Sequence, residues 1–308
     1  MNRAFVTFFL ILCVVFGVAS TAAAADKLPV FVSIVPQKFF VQQIGKDLVD
    51  VQAMVQPGAS PATYEPKPRQ MAALSGAKIY FSIGVPFEKA WLDKIAAANP
   101  QMTVVHTDDG IEKIPMAAHH HHEDHAGKDG EEKHHADDHE KGHHGHTGLD
   151  PHIWLSPPLV RIQARTITTA LQTADPAHRD VYDANFRDFA GRIDQLDNDL
   201  RDTLAGRFGM SFMVFHPAWG YFAHAYGLKQ MPIEIEGKDP KPARLQALIE
   251  HAREHNIHVI FVQPQFSTKS AELIAREIDG QVVAANPLAE DWMANLRQVA
   301  DKFKAALK

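Results

Sequence analysis

The sequence predicts an α/β protein of two lobes, each with a parallel sheet flanked by helices, joined by one long rigid helix. Short apolar runs alternate with helical patterns in both halves of the chain, which is typical of parallel sheets covered on both faces. A single amphipathic pattern of roughly 30 residues separates the halves. The roughly 280 residues after the N-terminal segment exceed the size at which one hydrophobic core stops growing, so we expect two domains.

Residues 1–25 are predicted to be a signal peptide that is cleaved on export. Arg3 is the only charged residue, residues 5–18 form an apolar run, and residues 23–25 supply a cleavage site of the A-x-A type. The apolar run is shorter than the about 20 residues that cross a bilayer. Cys13 lies inside this run without the small preceding residue of a lipid-attachment site, so we do not expect a lipid anchor.

The composition limits the partners and the metal ligands. The formal net charge of −6 becomes −7 when Arg3, one positive charge, leaves with the signal peptide. A mildly acidic chain is a poor partner for nucleic acid, so we expect no nucleic acid, and we also expect a monomer. Because Cys13 is the only cysteine and leaves too, the mature chain has no thiolate ligands. A metal must then be held by His, Asp or Glu, or by amide and backbone oxygens.

Residues 26–174 are predicted to form the N-terminal lobe. Short apolar runs in this part of the chain predict strands, and patterns that begin at Pro36 and Glu88 predict helices. The expected strands cover residues 30–35, 49–55, 78–82 and 103–106, and the expected helices cover residues 36–45 and 88–98.

Residues 118–148 interrupt this pattern and predict a disordered loop, since they contain almost no apolar residues. Eleven of the 19 histidines fall here, interleaved with eight Asp and Glu residues. Imidazoles bind zinc, copper and nickel when they are neutral, which predicts modest, pH-dependent binding of several ions. The alternative is a spacer without a role. The residues that would capture metal are His119, His120, His121, His122, His125, His134, His135, His139, His143, His144 and His146.

A linking helix is predicted over residues 175–205. At a rise of 1.5 Å per residue it would span roughly 45 Å, which suits a connector between two lobes. Its apolar residues recur every three or four positions and form one stripe: Tyr182, Phe186, Phe189, Ile193, Leu196, Leu200 and Leu204.

Residues 206–308 are predicted to form the C-terminal lobe, where strands and helices alternate again. The expected strands cover residues 212–215, 231–235, 258–262 and 282–284, and the expected helices cover residues 218–226, 242–255, 270–278 and 291–307.

Two histidines lie where α/β proteins usually bind ligands. His216 directly follows the strand 212–215, and His152 lies between the His-rich loop and the next helix. Ligands of open α/β sheets gather at the carboxyl ends of the strands. Each residue, taken alone, is also compatible with a structural histidine. His251 and His255 are four residues apart and could pair around a metal, but we interpret them as surface residues.

Six segments carry a resemblance to a known family, and they occur in the expected order: PGASPATYEPKP (57–68), DPHIWLSP (150–157), FHPAWGYFAHAYGL (215–228), EGKDPKPARLQALI (236–249), FVQPQFS (261–267) and NPLAEDW (286–292). With them the chain resembles the periplasmic solute-binding proteins of zinc and manganese ABC transporters, of the zinc-uptake type that has a His-rich loop. The resemblance implies a metal ion between the lobes, held mainly by histidines and often also by a carboxylate. It implies a periplasmic location and delivery of the ion to the membrane permease of an ABC importer.

Carried over to this sequence, two of the family's ligand positions are His152 and His216. Ala62 stands where the family has another histidine, and Asn286 stands where it has an aspartate. Alanine offers no donor atom, and an amide oxygen is a poorer zinc ligand than a carboxylate. We therefore predict a metal site of His152, His216, Glu65 and Asn286, in which Glu65 takes the place of the missing imidazole.

Other residues are alternatives for the missing ligand. A loop histidine such as His146 ranks after Glu65, and His224, eight residues beyond His216, ranks after that. Gln263 is a further candidate through its amide oxygen.

The expected function is metal binding without catalysis. Nitrogen-rich ligands favour zinc over manganese, which prefers oxygen. The alternative is a metal buffer or chaperone that binds mainly through the His-rich loop and has a weakened cleft site. An adhesin of the same fold is a further alternative, whereas we do not expect a zinc hydrolase. We hypothesise that the loop gathers zinc when it is scarce and passes it to the cleft, so that deletion of residues 118–147 slows transfer without abolishing the cleft site.

Overall fold

A computed structural model of the chain describes residues 26–116, 148–234 and 238–307. It contains two four-stranded parallel sheets, each flanked by helices, and one long helix that joins the two lobes. The fold class predicted from the sequence is therefore confirmed. The predicted signal peptide, residues 1–25, and residues 118–147 of the predicted His-rich loop lie outside the described residues. Within the described part of the chain, no helix is both long and apolar enough to cross a membrane.

The N-terminal sheet consists of β1 (Leu28–Val32), β2 (Val49–Ala53), β3 (Ile79–Ser82) and β4 (Thr103–His106). Its strand order is β2-β1-β3-β4, and Val30 on the central strand β1 pairs with Val51 on one side and with Ile79 on the other. All four residues of β3 are buried, because helices cover a parallel sheet on both faces. The helices of this lobe are α1 (Val35–Gly45), α2 (Pro68–Ala73), α3 (Pro86–Ala98) and α4 (Pro157–Ala174).

Several details of this lobe differ from the sequence prediction, which did not include α2. The first strand ends at Val32 instead of residue 35, because Pro36 occupies the first turn of α1, where its fixed φ favours a helix. Helix α4 was predicted only as a helix that follows His152, without bounds. Its buried apolar residues nevertheless recur at helical spacing, and α4 packs against the long linking helix.

The linking helix, α5, runs from Arg179 to Thr203 and follows a single 3-10 turn at Pro176–His178. Its predicted apolar stripe is buried from Tyr182 to Leu204. On the N-terminal side α5 contacts α1 and α4, and on the C-terminal side it contacts the last helix of the chain, α9 (Trp292–Ala306). The stripe thus connects the cores of both lobes.

The C-terminal sheet repeats the topology of the first one. It consists of β5 (Ser211–Val214), β6 (Lys229–Pro232), β7 (Val259–Val262) and β8 (Gln281–Ala284), in the order β6-β5-β7-β8. The remaining helices are α6 (Gly220–Tyr226), α7 (Pro242–Glu254) and α8 (Lys269–Glu277). Because every strand pair is parallel, the carboxyl ends of β5, β6 and β7 lie at one edge of the sheet.

Two tryptophans join the lobes through reciprocal hydrogen bonds. The indole N–H of Trp154 donates to the carbonyl of Pro287 at 2.7 Å, and the indole N–H of Trp292 donates to the carbonyl of Trp154 at 2.7 Å. Both side chains are buried, and Trp292 also packs edge-on against Phe40 of α1, with ring centroids 5.1 Å apart. A satisfied indole in a buried position fixes its neighbours, so this contact holds the two lobes at a defined separation.

Candidate metal centre

His216 lies at the carboxyl end of the central strand β5, where the sequence predicted a ligand-binding residue. Gln263, which follows β7 and is buried, holds its backbone: the His216 N–H donates to Gln263 Oε1 at 3.1 Å, and Gln263 Nε2 donates to the His216 carbonyl at 2.7 Å. The amide of Gln263 is therefore used to position His216. This arrangement argues against Gln263 as a direct metal ligand.

His152 is held by the residue two positions before it. Asp150 Oδ1 accepts a hydrogen bond from the backbone N–H of His152 at 2.9 Å and lies 2.6 Å from its Nδ1. Asp150 is 1% exposed, and its carbonyl accepts a hydrogen bond from the Tyr221 hydroxyl of α6 at 2.9 Å. The segment that carries His152 is thereby anchored to the C-terminal lobe.

His216 has a carboxylate partner of the same kind. Its Nδ1 lies 2.7 Å from Glu234 Oε1, just beyond the carboxyl end of β6. An ionised carboxylate only accepts hydrogen bonds, so we assign the proton of both imidazoles to Nδ1. That tautomer leaves the Nε2 lone pair available for a metal ion, an arrangement common among metal-binding histidines. Burial lowers the pKa of His216 below its usual value, although the hydrogen bond that its Nδ1–H donates to Glu234 acts in the opposite direction.

The two imidazoles lie next to each other and are mostly shielded from solvent, with side chains 10% and 14% exposed for His152 and His216. Their ring centroids are 5.2 Å apart and their planes are inclined by 71°. Two imidazoles that share a tetrahedral zinc ion at about 2.0–2.1 Å would have centroids about 5 Å apart, so the observed spacing fits one ion. Phe266 stacks on the His216 ring at 4.8 Å, and Trp154 lies 5.1 Å from the His152 ring. Apolar walls of this kind limit access of water to the pair.

The other two predicted metal ligands, Glu65 and Asn286, are engaged elsewhere or exposed in this structure. Glu65 is exposed in the loop between β2 and α2, and among the described residues it forms no group with His152 and His216 whose ligand atoms lie within 4.8 Å of one another. Asn286 Oδ1 accepts hydrogen bonds from Gln265 Nε2 at 3.2 Å and from a backbone N–H at 3.0 Å. Both residues stay predictions as metal ligands. The alternative ligand His224 is exposed on α6.

Sequence reasoning missed the two carboxylates. Asp150 had a visible signal, because it stands two residues before His152 and a short Asp-x-His segment permits this contact. Glu234 had no such signal in the sequence. It lies 18 residues after His216, and only the parallel pairing of β5 with β6 brings the two residues together.

We predict that Asp150→Asn lowers zinc affinity by about 10–100-fold, the usual effect of changing a group that orients a metal-binding histidine. The asparagine amide oxygen still accepts the hydrogen bond from His152 Nδ1, but it carries no charge. His152 therefore becomes a weaker zinc ligand. Zinc calorimetry would measure the change. Asp301→Asn, at an exposed position of α9, is the matched control and should leave the affinity unchanged. Equal affinities for both variants would contradict a role for Asp150.

Comparisons with known proteins identify the family of the chain. The family model described as ZnuA, zinc-uptake complex component A, periplasmic, matches residues 30–306. The chain is 30% identical to the high-affinity zinc uptake system protein ZnuA of Bacillus subtilis over 280 residues, which cover 88% of this chain and 83% of that protein. A crystal structure of ZnuA superposes with a TM-score of 0.81 at 41% identity, covering 92% of this chain and 100% of that one. A zinc-bound deletion mutant of ZnuA gives 0.79 at 41% identity, covering 92% and 99%. The chain therefore belongs to the ZnuA family of periplasmic zinc-uptake components.

Proposed function

We propose that this protein captures one zinc ion between its lobes and delivers it to the membrane permease of an ABC importer. The observation that carries the proposal is the pair His152 and His216, whose Nδ1 atoms each contact a buried carboxylate and whose rings stand at the spacing that one zinc ion requires. Membership of a zinc-uptake family supports zinc as the cargo and binding without catalysis as the activity.

The chemistry of the donors favours zinc over manganese. Two neutral imidazoles are nitrogen ligands, which zinc accepts readily, whereas manganese prefers oxygen. We propose that Glu65 and Asn286 complete the set. Glu65 would reach the ion by movement of its exposed loop, and the amide oxygen of Asn286 would exchange its contact with Gln265 for the metal.

The manner of release follows from the contacts between the lobes. The linking helix α5 packs against helices of both lobes, and the bonds of Trp154 and Trp292 close the interface near the site. A wide hinge opening would break these buried contacts. We therefore propose that the ion leaves through small lobe shifts, aided by movement of the loop that carries Glu65.

Several further properties belong to this proposal. The mature protein begins after cleavage at residue 25 and works in the periplasm as a monomer, without a nucleic-acid partner. Its lobes comprise residues 26–174 and 206–308, and residues 175–205 link them. Delivery to the permease is supported by the family, whose members are components of zinc-uptake complexes.

Zinc calorimetry on the mature chain without residues 118–147 tests the proposal. We expect one tight site, because the pair of imidazoles lies outside the deleted segment, and a ZnuA deletion mutant has been crystallised with zinc bound. Loss of all tight binding would favour the alternative, a metal buffer that works through the His-rich loop. The same variant should transfer zinc to an acceptor more slowly than the intact chain, and an equal rate would refute capture by the loop.

A further inference from the structure

A second group of possible metal ligands lies at the C-terminal end of α7, far from the cleft. His251, Glu254 and His255 offer ligand atoms that all lie within 4.8 Å of one another, and they are the one such group of three or more among the described residues. The His251 and His255 rings are 4.0 Å apart, and the backbone N–H of His255 donates to the His251 carbonyl at 3.1 Å. The helical turn therefore sets both rings on one face.

We propose that His251, Glu254 and His255 form a second metal site, which takes a divalent transition-metal ion such as zinc. Two imidazoles and one carboxylate are suitable ligands for zinc, copper and nickel, and water would complete the shell at this surface. The spacing His251-x-x-Glu254-His255 is the reverse of the helical H-E-x-x-H pattern, and both patterns place two histidines one turn apart. The forward spacing also occurs at residues 139–143, outside the described residues.

The ligand side chains can adjust to an ion. Glu254 and His255 are exposed, and neither side chain has a hydrogen bond or an ion pair to another described residue. Tetrahedral zinc needs ligand atoms about 3.4 Å apart and imidazole centroids about 5 Å apart. The ligand atoms now lie within 4.8 Å of one another and the two ring centroids lie 4.0 Å apart, so the rings must move about 1 Å further apart, which rotation of the exposed side chains supplies. Glu254, one residue before His255, turns the pair of surface histidines into a three-ligand set.

The local charges also favour a cation. The cluster occupies the last turn of α7, where unpaired carbonyls give the helix end a partial negative charge. Arg253, the nearest cation in sequence, is paired with Glu277 of α8 at 3.6 Å. Arg244 lies about two turns earlier on α7, so its positive charge acts against an ion, and the carboxylate of Glu254 offsets it.

The second site is separate from the cleft. Strand β7 begins at Val259, four residues after His255, and ends at Val262, next to the Gln263 that positions His216. The two sites thus lie at opposite ends of β7, whose end residues are about 10 Å apart at 3.3 Å per residue. The proposal for the second site therefore does not depend on zinc binding in the cleft.

Imidazole ¹⁵N NMR of the intact mature chain, titrated with zinc, tests this site residue by residue. We expect the ring nitrogens of His251 and His255 to shift together. His258 is the matched control on the same edge, because its Nδ1 and Nε2 lie 3.2 Å from the Ile278 carbonyl and 3.0 Å from Asn256 Oδ1, and it should not shift. An absence of shifts at His251 and His255 in a large excess of zinc would overturn the proposal.

Two variants complete the test. His255→Ala should weaken the zinc response of His251 by at least about tenfold, since one of two imidazole ligands is lost. Glu254→Gln should weaken it less. Both residues are exposed, so neither variant should unfold the chain. An unchanged response of His251 in His255→Ala would refute a shared ion. The imidazole ¹⁵N signals of His152 and His216 report zinc binding in the cleft. The same titration therefore distinguishes a failure of the second site from a failure of the cleft site.

Discussion

His216→Ala, introduced into the mature chain without residues 118–147, is expected to remove the tight zinc site and to lower the affinity by at least about a thousandfold, or roughly 4 kcal/mol. His216 supplies one of the two imidazoles whose rings stand 5.2 Å apart, and alanine supplies no donor.

The deletion matters to this experiment because eleven further histidines would otherwise bind zinc and hide the change. His224→Ala is the matched control: the residue is exposed on α6, only eight positions from His216, and its removal should leave one tight site. If a tight site survived in His216→Ala, the metal centre would not lie between these imidazoles.

The second large effect concerns stability. Phe303→Ala should lower the free energy of unfolding by about 3–5 kcal/mol, the usual cost of emptying an aromatic position in a core. Phe303 on α9 is fully buried, and its ring lies 4.2 Å from Phe261, 4.6 Å from Phe212 and 5.5 Å from Phe222, measured between centroids. These neighbours belong to two strands and one helix, so no single side chain can fill the space.

Urea unfolding followed by far-ultraviolet circular dichroism would measure this loss, with the m-value compared between variants. Phe208→Ala is the control, because Phe208 is 89% exposed and its removal should change stability by no more than about 0.5 kcal/mol. A loss below about 1 kcal/mol for Phe303→Ala would mean that the surrounding rings close the cavity.

The sequence predicted the fold well because its signals are local. Strands such as β3 are continuous apolar runs, and the stripe of α5 repeats along a single helix. Helix α4 shows the same kind of signal, since Val160, Ala164, Ile167 and Leu171 are spaced by threes and fours, although the prediction gave no bounds for the helix after His152.

The candidate site was only partly predictable. His152 and His216 could be located because strand ends and motif segments mark them. Their carboxylate partners depend on tertiary structure: the pairing of β5 with β6 brings Glu234 to His216, and α6 anchors Asp150 through the hydroxyl of Tyr221. Contacts of this kind arise from strand order and packing, which local sequence patterns do not determine.

The reciprocal bonds of Trp154 and Trp292 have an optical consequence. Two of the four tryptophans of the chain are buried at the junction of the lobes, and each indole N–H donates to a carbonyl across it. Any separation of the lobes would hydrate both rings and shift their emission to longer wavelengths. The protein thus carries its own fluorescent reporter of lobe movement, built from two residues that also hold the lobes together.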